Sequence, residues 1–359
     1  MDLETLHMLL GAGLKHGASD VHLKVGDPPM YRVNGQLAAL KYERLKPADT
    51  QTICELVIKD PSVRDKLAEV QEYDGSYSLP GVARFRVNLF RQRGTLSLIL
   101  RVIPSAVPTL EELGLPKVLE TIAENERGLV LVTGATGSGK SSTLAAMIRH
   151  INHTRRVHIV TIEDPIEFLH QGQLASITQR EIGIDTRNFN VALRAALRQD
   201  PDVILVGEMR DAESIDIALK AAETGHLVFS TVHTTDAAKT IHRLLSGFSG
   251  DEQQSVRYRL ADSLRATISQ RLVARADGKG RVCAAEIMVV TMMIQECLRQ
   301  PDKTGGIKDA IERGRSQYGM QSFDQHLTDL YRKGLVTLEA ALENATSPSD
   351  LQRALHFHQ

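Results

Sequence analysis

The sequence predicts an α/β fold in two unequal parts, and three observations carry that prediction. Short apolar runs at 129–133, 157–162, 202–206 and 227–232 are each followed by a helical stretch, the alternation of a mainly parallel, doubly wound sheet. The first hundred residues instead combine one helical pattern with strand alternation and tight-turn signals, as a small α+β domain does. Between the two, Pro104, Pro108 and Pro116 cluster in a stretch that suits neither a helix interior nor a central strand. The expected organisation is an N-terminal domain over 1–104, a proline-bearing linker over 105–118, and a second domain over 119–359 whose C-terminal part is helical.

The elements follow in order. Leu3, Leu6, Leu10 and Leu14 recur at helical spacing, and Val21, Leu23 and Val25 then alternate as in a strand. Asn34-Gly35 favours the primed turn of a hairpin, and Gly94 punctuates a second hairpin within 84–103. In that hairpin Phe85, Val87 and Leu89 alternate with Arg84, Arg86 and Asn88, so the arginines share one face, where Arg101 can join them from the paired strand. Beyond about residue 255 the pattern reads as mostly helical, with breaks at Gly278–Gly280, Pro301–Gly306 and Gly319.

Composition narrows the function classes. A chain of 359 residues is long enough for about two domains with separate cores. Lys and Arg total 43 against 44 Asp and Glu, and there are eight Phe, seven Tyr and no Trp. Neither a basic surface excess nor a stacking platform therefore supports a nucleic-acid partner. The three cysteines, Cys54, Cys283 and Cys297, form no C-x-x-C pair, which fits a reducing cytosol and excludes a four-cysteine zinc module. The start, Met1-Asp-Leu-Glu, lacks a basic leader, and no apolar stretch of about 18 residues occurs. The expectation is a cytoplasmic protein without direct membrane insertion.

The most specific motif is Gly134-Ala-Thr-Gly-Ser-Gly-Lys140-Ser141, which satisfies G-x-x-x-x-G-K-[ST] directly after an apolar run. Gly134, Gly137 and Gly139 leave the backbone N–H groups of a loop that also holds Ala135, Thr136 and Ser138 free to curl around a β-phosphate. Lys140 is placed to reach the β- and γ-phosphates, and the Ser141 hydroxyl to ligate Mg²⁺. A helix opening at Ser142 points its positive end at the same anion. The chemistry is that of a nucleoside triphosphate bound with Mg²⁺.

Two acidic clusters end other apolar runs. Asp202-Val-Ile-Leu-Val-Gly207-Glu208 looks like a Walker B element, with Glu208 near the metal, and Glu163-Asp164-Pro165-Ile-Glu167 is the second. The Glu163–Glu167 segment resembles the Asp box, and Ala222-Glu-Thr-Gly-His226 through His233 resembles the His box, of the type II/type IV secretion ATPase family. Ala18-Ser-Asp20-Val-His22, Gly81 to Asn88 and Gly207-Glu-Met-Arg-Asp211 are similar to its pilus-retraction branch, the PilT and PilU types. The core resembles the PilT type. The tail, Gly306 to Arg313 and Gly319 to Gln325, resembles the PilU type, with Met293-Ile-Gln-Glu-Cys-Leu-Arg-Gln300 in place of the Ala-Ile-Arg-Asn-Leu-Ile-Arg-Glu segment usual in PilT.

The resemblance implies a PAS-like N-terminal domain joined to a RecA-like ATPase domain, six copies forming a ring. It implies Glu167 as general base, Glu208 holding Mg²⁺ through water, Glu163 and Asp164 beside the nucleotide, and His226 and His233 sensing it. Arg86 and Arg101 fall at the places of arginines that reach a neighbouring subunit's ATP. Arg84 is balanced between that and a solvated sheet face, and Arg194 and Arg198 read as an exposed helix face. The implied activity is Mg·ATP hydrolysis driving type IV pilus retraction, and hence twitching motility, at the cytoplasmic face of the inner membrane through a platform protein. Two alternatives stay open: an accessory subunit that assists a paralogous retraction ATPase, and a pilus assembly or type II secretion ATPase.

Overall fold

The computed structural model describes residues 1–104 and 106–356, the His356 side chain apart. The first residue of the 105–118 stretch and the last three of the chain lie outside the described residues. The chain forms two compact units: Met1–Ala106 with Glu163–Leu169 and Arg180–Asn188, and Val107–Ile162 with His170–Gln179 and the chain from Phe189 onward. From Val107 the proline-bearing segment belongs to the second unit, with Leu110 and Leu115 buried in its core.

In the first unit, the helix Leu3–Lys15 opens with the Asp2 side chain accepting the Thr5 N–H at 2.9 Å, an N-cap that satisfies a donor the helix leaves free. Its buried face is Leu6, Leu9, Leu10 and Gly13. The sheet holds β1 (Ala18–Lys24), β2 (Met30–Val33), β3 (Gln36–Ala39), β4 (Glu72–Leu79), β5 (Ala83–Gln92) and β6 (Thr95–Ile103) in the order β3-β2-β1-β6-β5-β4, with every pair antiparallel. Asn34 and Gly35, at φ 50° and 81°, make the turn between β2 and β3, while Arg93 and Gly94, at 50° and 79°, make the one between β5 and β6. On β5, Phe85, Val87 and Leu89 are fully buried, each worth roughly 1.5–3 kcal/mol. Their burial fixes the register and commits Arg84 and Arg86 to the opposite face.

The second unit is built on β7 (Gly128–Thr133), β8 (His158–Glu163), β9 (Ser176–Glu181), β10 (Val203–Val206), β11 (Leu227–Val232), β12 (Leu264–Ala274) and β13 (Arg281–Val289), ordered β13-β12-β7-β11-β10-β8-β9. Neighbours from β12 through β8 run parallel. All four apolar runs named above are strands of this sheet. Beyond about residue 255 most elements are helices, as expected, but the hairpin of β12 and β13 was not expected: Ala266–Ala274 pairs antiparallel with Arg281–Val289, turning at Gly278 and Gly280. Seven consecutive residues of β13, from Val282 to Met288, are buried. A strand covered on both faces shows no alternation, and Ala284, Ala285, Glu286 and Met288 are good helix formers, so the sequence pattern pointed the wrong way.

Candidate functional site

In the second unit, the glycine-rich loop leaves the carboxyl end of β7 and feeds the helix Lys140–Thr154. Gly134, Gly137 and Gly139 all sit at positive φ, at 143°, 77° and 95°, where side-chain-bearing residues are strained. At Gly134 a Cβ would also come within 2.6 Å of the Gln270 carbonyl oxygen and 2.5 Å of Ser138 Oγ. Ala135, Thr136 and Gly137 are exposed at the loop tip, and Ser141 is exposed on the first turn of the helix, with Ser142 half-buried beside it. Lys140 is buried, and its ammonium donates to the Gly134 and Ala135 carbonyls at 2.9 and 3.0 Å, folding back over the loop. Burial pushes the Lys140 pKa down, and the nearby Glu208 carboxylate opposes that shift. The Ser138 hydroxyl is buried with no protein partner. Such a concave row of N–H groups, with an ammonium and an orphaned hydroxyl, fits a phosphate chain.

Two more strands bring groups to the same edge. Beyond β10 the Gly207 N–H donates to the Ile162 carbonyl at 2.8 Å, and Thr231 Oγ1 donates to the Gly207 carbonyl at 2.6 Å. This backbone anchoring sets Glu208, 20% exposed, with one oxygen 2.9 Å from Arg210 Nε and the other 3.4 Å from His233 Nε2. His233 follows the last residue of β11. Since β11 lies between β7 and β10, Lys140, His233 and Glu208 all rise from the carboxyl ends of adjacent parallel strands, where open α/β sheets bind ligands.

His226 is set apart from them. It precedes β11, its carbonyl accepts the Gly128 N–H at 3.0 Å, and its Nδ1 donates to the Ala221 carbonyl at 2.9 Å. Gly128 is the first residue of β7, so His226 is at the amino edge, about 20 Å of strand away from the loop. Six strand residues, Leu227–Val232, separate His226 from His233, so the two histidines expected to sense the nucleotide stand at opposite edges of the sheet.

Sequence reasoning missed Gln270. It follows the β12 residue that pairs with Thr133, is buried, and donates from Nε2 to Thr143 Oγ1 at 2.7 Å, tying the sheet to the first turn of the phosphate-loop helix. Gln270 stands between Ser269 and Arg271, so nothing in the local pattern singled it out.

In the first unit, the Glu163–Leu169 segment and the hairpin arginines meet. Arg86 and Arg101 are directly paired across β5 and β6 and face the same side. Arg86 Nη1 donates to Glu167 Oε1 at 3.3 Å, the two side chains 40% and 42% exposed. Arg101 Nε donates to Asp20 at 2.8 Å. Asp20 is buried, which raises its pKa, but the bonds from Arg101 and Ser19 outweigh burial and hold it below the usual carboxylate value. Arg84 pairs with Glu181 at 2.5 Å, the carboxylate only 1% exposed. That removes the solvated-face reading for Arg84, and Glu181 is a second residue that the sequence reading passed over. Glu163 and Asp164 belong to this same unit, and the Glu163 carbonyl accepts the Ile182 N–H at 2.9 Å. Arg194 is exposed and pairs with Glu213, as on a solvated helix face.

The family model for type II/IV secretion system proteins matches residues 3–347. The chain belongs to that family. Among secretion-system relatives, it is 48% identical over 342 residues to the type IV pilus retractation ATPase PilT of Pseudomonas aeruginosa, covering 95% of this chain and 98% of the relative. It is 41% identical to the type IV pilus ATPase PilU of the same organism, covering 98% of this chain and 91% of the relative. Among solved structures, that of the pilus retraction motor PilT with bound ADP superposes with a TM-score of 0.88 at 43% identity, covering 97% of this chain and 99% of that one. Among the described residues, no helix is long and apolar enough to cross a membrane, and no group of three or more His, Cys, Asp or Glu could hold a metal unaided.

Proposed function

We propose that this chain is the ATPase motor of type IV pilus retraction. The observation that carries the reading is the phosphate loop with Glu208 and His233 at one sheet edge, in a chain that matches retraction ATPases over nearly its full length. The first unit is read as a PAS-like domain and the second as a RecA-like ATPase core, with functional boundaries near 104 and 118, six copies closing a ring, and attachment through an inner-membrane platform protein.

In this reading the N–H groups of residues 134–139 and the Lys140 ammonium bind and orient the phosphates, and Glu163 and Asp164 border the nucleotide. Ser141 and Glu208 are the residues that would hold a bound Mg²⁺, which would supply neutralisation of the phosphate charge. Glu167 takes the proton of the attacking water, help worth roughly 10²–10⁴-fold in rate. Arg86 and Arg101 supply cationic charge to the phosphoryl group of a neighbouring subunit's nucleotide, which makes turnover depend on assembly. His233, 3.4 Å from Glu208, reports the nucleotide state to β11. Nucleotide binding and hydrolysis then alternate the ring between shapes.

The PilU-like tail favours a second reading, an accessory subunit assembled with a paralogous motor. ATP hydrolysis by the purified protein and its Glu167→Gln variant, with particle mass recorded in the same samples, tests both. Turnover by a hexamer that disappears in the variant while assembly survives is the expected result. An assembled, ATP-binding wild type without turnover unless a paralogue is added would replace the motor reading with the accessory one.

A further inference from the structure

Glu181 is buried, and both of its carboxylate oxygens accept hydrogen bonds inside the first unit. Oε1 accepts the Ser76 hydroxyl of β4 at 2.5 Å, and Oε2 accepts Arg84 Nη2 of β5 at 2.5 Å and the Ile166 N–H at 3.0 Å. Ser76 also accepts Arg84 Nη2 at 2.7 Å, closing a three-membered polar knot. Ile166 is the residue before Glu167. The chain beside Glu181 adds a second tie, because the Ile182 N–H donates to the Glu163 carbonyl at 2.9 Å. The Glu163–Glu167 backbone is thus pinned at both ends by Glu181 and Ile182, one pin resting on a carboxylate that Arg84 and Ser76 hold rigid.

We propose that Glu181 is the positioning residue for Glu167: its ion pair with Arg84 anchors the carboxylate that fixes the Ile166 amide, and thereby the place from which the Glu167 side chain acts. Glu181 itself touches no reacting atom. Arg86, two residues from Arg84 on the same face of β5, reaches Glu167 from that sheet, so the knot also sets the distance between the base and its arginine. The inference rests on the reading of Glu167 as general base, and it adds that the base is placed by an ion pair buried beside it.

The test uses the full-length assembled protein and compares Glu181→Ala, Glu181→Gln and Glu167→Gln for kcat, KM for ATP, particle mass and thermal midpoint. Misplacement of about 1 Å costs roughly 10²-fold. Glu181→Ala is expected to lose about that much kcat with KM for ATP unchanged within about twofold, and Glu181→Gln, whose amide oxygen still reaches Ile166, to recover part of the loss. Wild-type kcat in assembled Glu181→Ala would overturn the proposal, as would activity that falls only with the folded fraction. If Glu181→Ala does not fold, Ser76→Ala and Arg84→Lys, which loosen the knot without emptying it, carry the same kcat-against-KM comparison. Turnover that survives Glu167→Gln would instead remove the reading of the base, a result distinct from Glu167-dependent turnover indifferent to Glu181.

Discussion

Arg84 and Arg86 stand two residues apart on one strand, face the same side and each hold a glutamate, yet the two pairs are opposite in character. In the first the carboxylate is 1% exposed and the arginine 15%; in the second the figures are 42% and 40%. Two buried charges taken from water must stay together, because removing either partner strands the other. Two half-exposed charges exchange their bond for water at almost no cost. The same chemistry therefore serves as framework in one pair and as an exchangeable contact in the other, and solvent access alone decides which. A catalytic carboxylate needs the second kind of partner, one that can let go.

The comparison is broken most severely by Arg86→Ala assayed for turnover. If Arg86 acts on the transferring phosphoryl group, kcat should fall by roughly 10³–10⁵-fold, with the ring still formed and ATP still bound. Steady-state hydrolysis at saturating ATP reads this directly, and a loss of only a fewfold would demote Arg86 to a resting partner of Glu167. Next in size is Arg84→Ala, read by stability. It leaves Glu181 buried without its cation, and should lower the unfolding free energy by about 3–5 kcal/mol, seen as a shifted urea midpoint with an unchanged slope.

How far these roles were legible in the sequence follows from the range of the signals. The phosphate loop is local: its glycines, Lys140 and Ser141 fall within residues 134–141, and the glycines are dictated by backbone angles that the structure places at positive φ. The hairpins around Asn34-Gly35 and Gly94 are legible for the same reason. The β12–β13 hairpin was not, since burial on both faces erased the alternation that identifies a strand. Arg84 and Arg86 could be assigned to one face by period two, but their partners lie 97 and 81 residues away in sequence, and no local pattern separates a framework arginine from an exchangeable one. His226 and His233 lie in one motif, and only the direction of β11 reveals that they end at opposite edges of the sheet.

Asp20 and Arg101 form an intermediate case that sharpens the comparison, the acid 5% exposed and the arginine 68%. The Asp20 pKa is held below its ordinary 3.8 although burial alone would raise it. A depressed folded pKa gives stability that is present above the unfolded value and lost as pH falls through the folded one. Arg101→Ala removes the largest influence lowering that pKa, so the variant should be roughly 1 kcal/mol less stable near pH 7 and should lose less than the wild type on acidification. Urea midpoints taken from about pH 6 down to about pH 3 would show the two curves converging, and parallel curves would assign the control of Asp20 to Ser19 and Arg32 instead.

The smallest effect is the most discriminating. Arg86→Ala, whose turnover is expected to collapse, should change the unfolding free energy by no more than about 0.5 kcal/mol, because both charges of its pair keep their water when separated. A large stability loss there would mean that the Arg86–Glu167 pair is framework like its neighbour, and that its arginine cannot be the one that exchanges partners during the cycle. A small loss, beside the large one at Arg84, would place the division between fixed and exchangeable electrostatics between two residues of a single strand. The cooperativity of unfolding is the control, since both variants should keep the wild-type denaturant slope.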